Sequence, residues 1–315
     1  MQNLLDQLAE RRGADLSGLA PAQQADLIAR RSSVLLPSVT QLADLLAEDR
    51  RLTVKFGIDP TAPDAHVGHA VPMILASRFQ RMGHRVVFIV GDLTARIGDP
   101  SGRTADRPPL TDADIAANLA TYREQVTPFF DFERADFRFN RDWLGRITLP
   151  ELLTTLERLP VSALLQRDDF RSRLADGAGL SVAELVYSVV MALDSVAVAA
   201  DIEIGGVDQL LNLQMCRRVM DNAGQRPEVV VAVPLIEGVD GSGVKMSKSK
   251  GNTIPLSAAP GEVFGKLMSI PDRLLTSYLA ALTELRDDEI EALSAEHPMR
   301  VKTLLATDVT ATIHG

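Results

Sequence analysis

Two histidines three residues apart could contact a phosphate group. His66 and His69 lie in the segment DPTAPDAHVGHA, residues 59–70, at the expected start of a helix. This spacing places both rings on one helix face, beside unpaired backbone N–H groups and the positive end of the helix dipole, which favour an anion. Gly68 between them allows a flat ring or a backbone to approach closely. Ordinary polar contacts at a helix start, or an incidental metal, are the alternatives, although the sequence offers no obvious third metal ligand.

A second segment concentrates positive charge in an otherwise acidic protein. GSGVKMSKSKGN, residues 241–252, places three lysines within six residues and flanks them with glycine and serine. Lys245 and Lys248 could hold a polyphosphate as point charges. The alternative is a solvated run of charge on a surface loop. Neither a Walker loop nor a G-x-G-x-x-G dinucleotide fingerprint occurs in the sequence.

Two further polar segments follow expected strands. Asp99 lies in the turn IGDPSG, and Asp208 and Gln209 end the segment GGVDQ that follows the strand ADIEIG. Taken alone each segment is an ordinary turn, and a helix cap is the simplest interpretation of Asp99. Because open parallel sheets bind ligands at the carboxyl ends of their strands, the same positions are also candidates for ligand binding.

The elements that must position these residues alternate between strand and helix. LTVKFGI and RVVFIVG are strand-like runs on either side of a helical segment that starts at Val67 and closes at Gly83. Strand, helix and strand form a parallel crossover unit, and ADIEIG and EVVVAVPL continue the pattern. The sequence therefore predicts an α/β fold, a Rossmann-like parallel sheet with helices on both faces.

Other parts of the chain read as helical. The first fifty residues do so, as does most of 110–180, which contains one short strand, DFRFN, and the chain after Lys250 looks helical to its end. We expect an α/β domain over residues 1–250, interrupted by a mainly helical insertion over 110–180. A C-terminal helical segment over residues 251–315 would follow the lysine-rich loop.

Composition limits the classes of function. The 315 residues are 46% apolar and 24% charged, close to globular averages and sufficient for a sizeable core. The net charge of −9 argues against a protein whose whole surface binds nucleic acid, while leaving room for a local basic patch. A single cysteine, Cys216, excludes an internal disulfide and a multi-cysteine zinc site. With neither an apolar run of membrane length nor a signal-peptide core, we expect a cytoplasmic protein without membrane contact.

HVGH and KMSKS, in this order and on these elements, resemble the two signature motifs of class I aminoacyl-tRNA synthetases. The surrounding segments resemble the bacterial tyrosyl-tRNA synthetases from about Val34 to the last residue, and they read KFGIDPTAPDAHVGH, GDLTARIGDPSGR, LLQRDDFRSR, DSVAVAADIEIGGVDQ and VPLIEGVDGSGVKMSKSKGN. The resemblance implies that a carboxylate attacks the α-phosphate of ATP, giving an acyl-adenylate and pyrophosphate. Mg²⁺ would accompany ATP as a charge neutraliser, and positioning and charge stabilisation would do most of the work.

The same resemblance assigns residues to the nucleotide. Those expected to stabilise the polyphosphate in the transition state are Thr61, His66, His69, Lys245 and Lys248. Those expected to hold the rest of ATP are Asp59, Gly68, Gly205, Gly206, Asp208, Met246 and Ser247. Within this second set, Asp208 and the two adjacent glycines of the turn would hold the ribose. No residue is predicted to hold a resident metal ion.

The expected amino-acid pocket departs from the family in one wall. Where the family reads Tyr-x-x-x-Gln-x-x-Asp, this sequence has Tyr187, Met191 and Asp194. By resemblance Tyr187 and Asp99 would bind the substrate ammonium, Asp194 would accept from a phenol hydroxyl, and Gln209 is retained. Met191 replaces an amide with a weak acceptor. Leu193 and Val207, where the family usually has Tyr and Thr, make this side more apolar.

Three hypotheses about function follow. The first is an enzyme that activates tyrosine with ATP and esterifies tRNA, with Met191 as tolerated drift. The second is a paralogue that adenylates another aromatic acid, such as one with an altered amine, for an acceptor other than tRNA. The third is a non-catalytic nucleotide- or RNA-binding relic, which is disfavoured because both signature motifs are intact.

The resemblance also bears on partners. The chain stops at Ile313, His314 and Gly315, where family members continue into a small RNA-binding domain. We therefore expect a catalytic domain without that C-terminal domain, which is either a piece of a longer protein or naturally free-standing, and in either case tRNA binding would be weakened. By resemblance the enzyme would be a homodimer joined by helices of the inserted region. Phe129, Phe130 and Phe132 are either an interface patch or a core cluster.

Overall fold

The fold is built on one six-stranded sheet. The computed structural model describes residues 1–101, 110–177, 179–247 and 250–315. Its strands are β1 (Val34–Leu36), β2 (Thr53–Ile58), β3 (Arg85–Val90), β4 (Asp136–Phe139), β5 (Ile202–Gly206) and β6 (Val229–Val233). They lie in the order β1-β6-β5-β2-β3-β4.

Sixteen α-helices accompany the strands in the described ranges. Those before the inserted region are α1 (Gln2–Gly13), α2 (Pro21–Ala29), α3 (Val39–Leu46) and α4 (Val67–Arg81). Those of the inserted region are α5 (Asp112–Leu119), α6 (Tyr122–Val126), α7 (Arg141–Leu144), α8 (Leu149–Glu157), α9 (Val161–Leu164) and α10 (Asp168–Ala175). The remainder are α11 (Val182–Val198), α12 (Leu210–Asn222), α13 (Pro260–Met268), α14 (Leu275–Leu282), α15 (Asp287–Ser294) and α16 (Pro298–His314).

The α/β fold class is confirmed, but the sheet is mixed rather than wholly parallel as expected. Strands β2 to β6 pair in parallel, but β1 pairs antiparallel with β6, with Leu35 opposite Val231. The first fifty residues were expected to be helical throughout, and β1 was missed. Its three residues are too few to show an alternating pattern, and its strand conformation depends on pairing with a distant strand.

The other expected elements are confirmed. The apolar run RVVFIV forms β3 and VVVAV forms β6, and almost every residue in both is buried because helices cover both faces of the sheet. The short strand expected in the inserted region, β4, forms the edge next to β3. The chain after the lysine-rich loop is helical, as expected.

Two apolar layers hold the sheet. On one face Val54, Phe56 and Phe88 belong to a large cluster that includes α4 and the C-terminal helices. On the other face, Val230 and Ala232 of β6 pack against Leu213 of α12. Both layers remove apolar surface from water, which is the main stabilising contribution to such a fold.

Two smaller features complete the description. Phe129 and Phe130 are 7% and 5% exposed and belong to the core cluster, which answers the open question about these rings in favour of the core. Glu284, which follows α14, accepts hydrogen bonds from Arg78 and Arg81 of α4, joining the C-terminal helices to the helix that follows β2. Among the described residues, no helix is long and apolar enough to span a membrane.

Candidate active site

A cavity of about 1170 Å³ opens at the carboxyl ends of β2, β3, β5 and β6. The chain passes from β2 outward to β3 and β4, and then places β5 on the other side of β2. Such a reversal leaves a crevice in which open α/β sheets bind ligands. Every predicted site residue that the structure describes lines this cavity: Asp59, Thr61, His66, Gly68, His69, Asp99, Tyr187, Met191, Asp194, Gly205, Gly206, Asp208, Gln209, Lys245, Met246 and Ser247. Lys248 lies outside the described residues.

The two histidines cap the helix that follows β2. His66 is the N-cap residue of α4, and its Nδ1 accepts from the backbone N–H of Gly68 at 3.1 Å. The Nδ1 of His69 accepts in turn from the backbone N–H of His66 at 3.1 Å. A neutral imidazole that accepts at Nδ1 carries its proton on Nε2. Each ring can therefore offer an Nε2–H donor to an oxyanion at the helix start, where the helix dipole adds to the attraction.

Close packing joins the two signature motifs. A Cβ on Gly68 would lie 2.9 Å from the His66 ring and 3.7 Å from Cβ of Met246, so only glycine leaves room there for the ring. The segment after the lysine-rich loop also pairs with the start of α4. Its carbonyl at Ile254 accepts from the N–H of Val67, and the N–H of Leu256 donates to Ala65. The two motifs thus lie next to each other in the cavity lining.

The described part of the lysine-rich loop reaches the turn after β5. Lys245 Nζ donates to Asp208 Oδ2 at 2.5 Å. The loop is fixed at its base by Glu237, which accepts from the N–H of Gly243 at 2.6 Å and from both terminal nitrogens of Arg273. The hydrogen bonds from Arg273 and Gly243 lower the pKa of Glu237 to about 2. A ligand ribose or phosphate entering here would meet Asp208 and Lys245 together.

One end of the cavity collects groups suited to an ammonium. Gln209 Nε2 donates to Asp99 Oδ2 at 2.6 Å, and Tyr187 lies in the same lining. Tyr187 and Met191 share one face of α11 because they are four residues apart. Met191, partly buried, packs against the apolar cluster that contains Leu213. This end of the cavity therefore combines carboxylate, amide and phenol groups with an apolar thioether.

Asp59, expected beside the nucleotide, hydrogen-bonds with side chains of the cavity lining. Its Oδ1 accepts from Thr94 Oγ1 at 2.7 Å and its Oδ2 accepts from Tyr187 Oη at 2.9 Å. Burial raises the pKa of Asp59 to about 7, with further increases from the nearby carboxylates of Asp99 and Asp194. The structure thus joins Asp59 to Tyr187, and the contact of Asp59 with ATP stays a prediction.

Asp194 forms the floor at the other end of the pocket. Its Oδ1 accepts from Trp143 Nε1 at 2.8 Å, and its Oδ2 accepts from Asn140 Nδ2 at 3.3 Å. Burial raises the pKa of Asp194 to about 6, and the nearby Lys55 ammonium partly opposes this increase. At neutral pH the group is therefore mostly ionised and can accept from a hydroxyl.

A buried ion pair beneath this floor was missed in the sequence analysis. Lys55 Nζ lies 2.7 Å from Glu203 Oε1 and donates to Ser195 Oγ at 2.8 Å. Burial alone would lower the pKa of Lys55, but the attraction of Glu203 outweighs it and raises that pKa. The signal was present in the sequence: each residue is the single charge in a buried strand, and the two stand opposite each other in β2 and β5.

Two groups of side chains lie side by side in the cavity. Asp99, Gln209 and Tyr187, together with the floor at Asp194, have the chemistry expected for an aromatic amino acid. The helix start at His66 and the pair of Lys245 with Asp208 have the chemistry expected for a polyphosphate and a ribose, and both assignments stay predictions. Such an array suits transfer between a carboxylate and a phosphate, a reaction that depends on positioning and on charge stabilisation.

Known proteins match this chain in sequence. A family model described as "tRNA synthetases class I (W and Y)" matches residues 47–315. A tyrosine–tRNA ligase of Thermotoga maritima is 41% identical over 303 residues, covering 94% of this chain and 75% of that relative. One of Oleidesulfovibrio alaskensis is 41% identical over 299 residues, covering 93% and 75%. These matches favour the tyrosine hypothesis over the alternative acids.

Solved structures match the fold. A C-terminally truncated mitochondrial tyrosyl-tRNA synthetase of Coccidioides posadasii covers 100% of this chain and 96% of its own, with a TM-score of 0.77 at 22% identity. The tyrosyl-tRNA synthetase of Archaeoglobus fulgidus, solved with L-tyrosine, covers 94% and 98%, with a TM-score of 0.75 at 19% identity. With these sequence matches and a cavity lined by both signature motifs, this chain belongs to the tyrosine–tRNA ligase family of class I aminoacyl-tRNA synthetases.

Proposed function

We propose that the cavity activates tyrosine with ATP to form tyrosyl-adenylate and then passes the tyrosyl group to tRNA. The observation that carries the proposal is a single cavity lined by both signature motifs and by Asp99, Tyr187 and Asp194. A binding module for nucleotides alone would not require a buried acceptor at the end of an aromatic slot.

In this proposal tyrosine lies with its ammonium against Asp99 and Tyr187 and its phenol hydroxyl against Asp194. Asp194 is held in place by Trp143 and Asn140, and these two donors leave it able to accept from the phenol. A site that hydrogen-bonds a hydroxyl strongly rejects an analogue without it, because its buried polar groups would be left unpaired. Phenylalanine is therefore expected to be a poor substrate.

The nucleotide is expected to lie along the opposite side of the cavity. The Nε2–H groups of His66 and His69, together with Lys245, would donate to the phosphates as charge builds during attack by the tyrosine carboxylate. Asp208 would exchange its contact with Lys245 for the ribose hydroxyls. Thr61 and Lys248 are assigned to the phosphates by family resemblance.

Magnesium fits this scheme as part of the ATP substrate. In the described part of the chain, three potential metal ligands come together at Glu203, Cys216 and Glu228, all buried. Glu203 is already paired with the ammonium of Lys55, and burial raises the pKa of Cys216 and of Glu228, which favours their protonated, neutral forms. We therefore expect Mg²⁺ to enter with the phosphates of ATP, which provide the oxygen ligands it prefers.

A homodimer is part of the proposal. Large apolar side chains are exposed on helices of the inserted region and on the first turn of α11: Leu149 at 67%, Leu153 at 54%, Val161 at 57% and Val182 at 76%. Covering such side chains is a common reason for subunit association. We expect Leu153→Glu to shift the sedimentation coefficient from dimer to monomer, whereas Met299→Glu, at a similarly exposed site on α16, leaves it unchanged.

The deciding experiment is ATP–pyrophosphate exchange on the purified chain. Tyrosine is compared with phenylalanine, other aromatic amino acids and deaminated analogues, and charging of tRNA is measured separately. Exchange that is strongest with tyrosine supports the proposal. Exchange that is stronger with another acid, or none with any acid despite ATP binding, refutes it.

A further inference from the structure

Four polar side chains form a continuous hydrogen-bonded chain, called the file below, from the inserted helical region to the end of the cavity that contains Asp99 and Tyr187. Arg167 Nη1 donates to Asn212 Oδ1 at 3.1 Å, and Asn212 Nδ2 donates to Gln209 Oε1 at 2.8 Å. Gln209 Nε2 then donates to Asp99 Oδ2 at 2.6 Å. Arg167 lies just before α10, Gln209 and Asn212 lie at the start of α12, and Asp99 lies in a turn that follows β3. Only the folded chain brings these four residues together.

The chemistry of the two ends fixes the direction of every hydrogen bond in this file. A guanidinium has only donors, so Asn212 must present its carbonyl oxygen to Arg167. The amide nitrogen of Asn212 then faces Gln209, and the amide nitrogen of Gln209 faces Asp99. An ionised carboxylate has only acceptors, so the far end requires the same direction. Arg167 and Asp99 therefore require the same orientation of the Asn212 and Gln209 side-chain amides that lie between them.

Burial makes this orientation hard to change. Arg167 is 7% exposed and Asn212 is 0% exposed, and the guanidinium carbon lies 4.7 Å from the centre of the Phe170 ring. A buried amide that flips would set oxygen against oxygen or donor against donor, at the cost of a lost hydrogen bond in a region of low dielectric constant. Gln209 is thereby kept from turning its oxygen toward Asp99.

We propose that Arg167 is a positioning residue for recognition of the substrate amino group, acting through Asn212 and Gln209 to hold the Asp99 carboxylate toward the ammonium. This inference rests on the proposed function, because it takes an amino acid as the ligand of this end of the cavity. It gains weight from Met191, whose thioether offers the ammonium only a weak acceptor. Asp99, held by the file, then carries most of the selectivity for the amine.

The sharpest test is Asn212→Asp. The carboxylate keeps an acceptor for Arg167 at nearly the same size, and its charge pairs with the buried guanidinium, but it has no donor for Gln209. Gln209 is then free to turn its amide nitrogen to the new carboxylate and its oxygen to Asp99. We expect the Kd for tyrosine to rise by about tenfold or more, because a hydrogen bond to a charged group is lost or misdirected.

The measurement compares tyrosine with hydroxyphenylpropionate, its deaminated analogue. Trp143 is the single tryptophan and donates to Asp194 in the pocket floor, so its fluorescence can report binding of both ligands. We expect the variant to bind the deaminated acid within about twofold of the wild type, since that ligand makes no contact through an amine. A general loss of pocket shape would weaken both ligands equally and would overturn the inference, as would an unchanged Kd for tyrosine.

Two further variants distinguish a specific role of Arg167 from a general effect on folding. Arg167→Lys keeps the charge but not the planar donor geometry, and it should also lower the preference for tyrosine over the deaminated acid. Arg173→Lys alters another buried arginine of the inserted region, one paired with Glu184 at 2.9 Å, and it should leave that preference unchanged. A change in preference for Arg173→Lys as large as that for Arg167→Lys would contradict the inference.

The outcome separates this inference from the proposed function. If the wild type prefers tyrosine to its deaminated analogue but gives no pyrophosphate exchange with tyrosine, the proposed function fails while the file can still be tested by binding. If exchange with tyrosine is strong and the preference for the amine is the same in Asn212→Asp, the file fails and the proposed function stands.

Discussion

Replacing Met191 with glutamine should strengthen tyrosine binding. Tyr187, Met191 and Asp194 are spaced four and three residues apart on α11, and all three line the cavity. A glutamine at position 191 would add an amide oxygen to the cavity lining that Asp99 and Tyr187 share, where the substrate ammonium is expected. The present side chain packs on the apolar cluster of Leu213, and a glutamine is close enough in length to fill most of that space.

The size of the effect follows from the charge of the ligand. A hydrogen bond to a charged group contributes about 1.5–3 kcal/mol, which corresponds to roughly ten- to hundredfold in affinity. Dehydrating the new amide and losing part of the apolar contact of Met191 oppose this gain. We therefore expect the KM for tyrosine in Met191→Gln to fall by about tenfold, with a small decrease in Tm.

The assay is ATP–pyrophosphate exchange over a range of tyrosine concentrations, with Met191→Leu as the matched control. Leucine keeps the apolar contact and adds no acceptor, so the KM of that variant should stay near the wild-type value. Inhibition by the deaminated analogue should be equal in all three proteins. A folded Met191→Gln with an unchanged KM for tyrosine would show that the ammonium does not reach this wall, and the orientation proposed for tyrosine would be wrong.

Three further predictions concern the lysine-rich loop, its base at Glu237, and the titration of Asp59. Lys245→Ala should lower kcat of pyrophosphate exchange by about a hundredfold or more with little change in tyrosine binding, whereas Lys266→Ala, on α13, should match the wild type in both measurements. Arg273→Ala frees Glu237 at the base of the loop, and the KM for ATP should rise several-fold while the Kd for tyrosine stays constant. The raised pKa of Asp59, about 7, means that the folded chain holds a proton there that the unfolded chain loses above about pH 4. The contribution of Asp59 to the free energy of unfolding therefore declines between pH 4 and 7. The free energy of unfolding of Asp59→Asn, measured with denaturant, should increase relative to that of the wild type as pH rises from 4 to 8. A difference between the two proteins that stays constant with pH would refute this.

Local patterns were sufficient to predict the elements that carry the site. The helix from Val67 and the strands β2, β3, β5 and β6 follow from apolar periodicity, because covered strands and amphipathic helices leave distinct patterns in sequence. The edge strand β1 left no such pattern, since three residues paired with a distant strand carry almost no local signal. The gathering of site residues at the carboxyl ends of the strands follows from the parallel topology.

Of two contacts beneath the site, the sequence could have indicated one and not the other. The pairing of Lys55 with Glu203 could have been expected, because a single charge in a buried strand needs a partner. The contact of Arg167 with Asn212 could not, because it joins residues 45 apart through the packing of the inserted region on α12. Periodicity describes which face of an element is buried, but not which polar atom on a distant element meets it.

The side chain at position 191 can change without displacing the groups that are proposed to bind the ammonium. Asp99 is held by Gln209, and Tyr187 is held by Asp59, so neither depends on the side chain at 191 for its place. Met191 instead packs on the apolar cluster of α12, a contact that tolerates different side chains of similar volume. If the ammonium is bound chiefly by Asp99, then Asn212→Asp should cost more tyrosine affinity in the wild-type background than in Met191→Gln, where a second acceptor shares the charge. Equal costs in the two backgrounds would mean that the two walls act on the ligand independently.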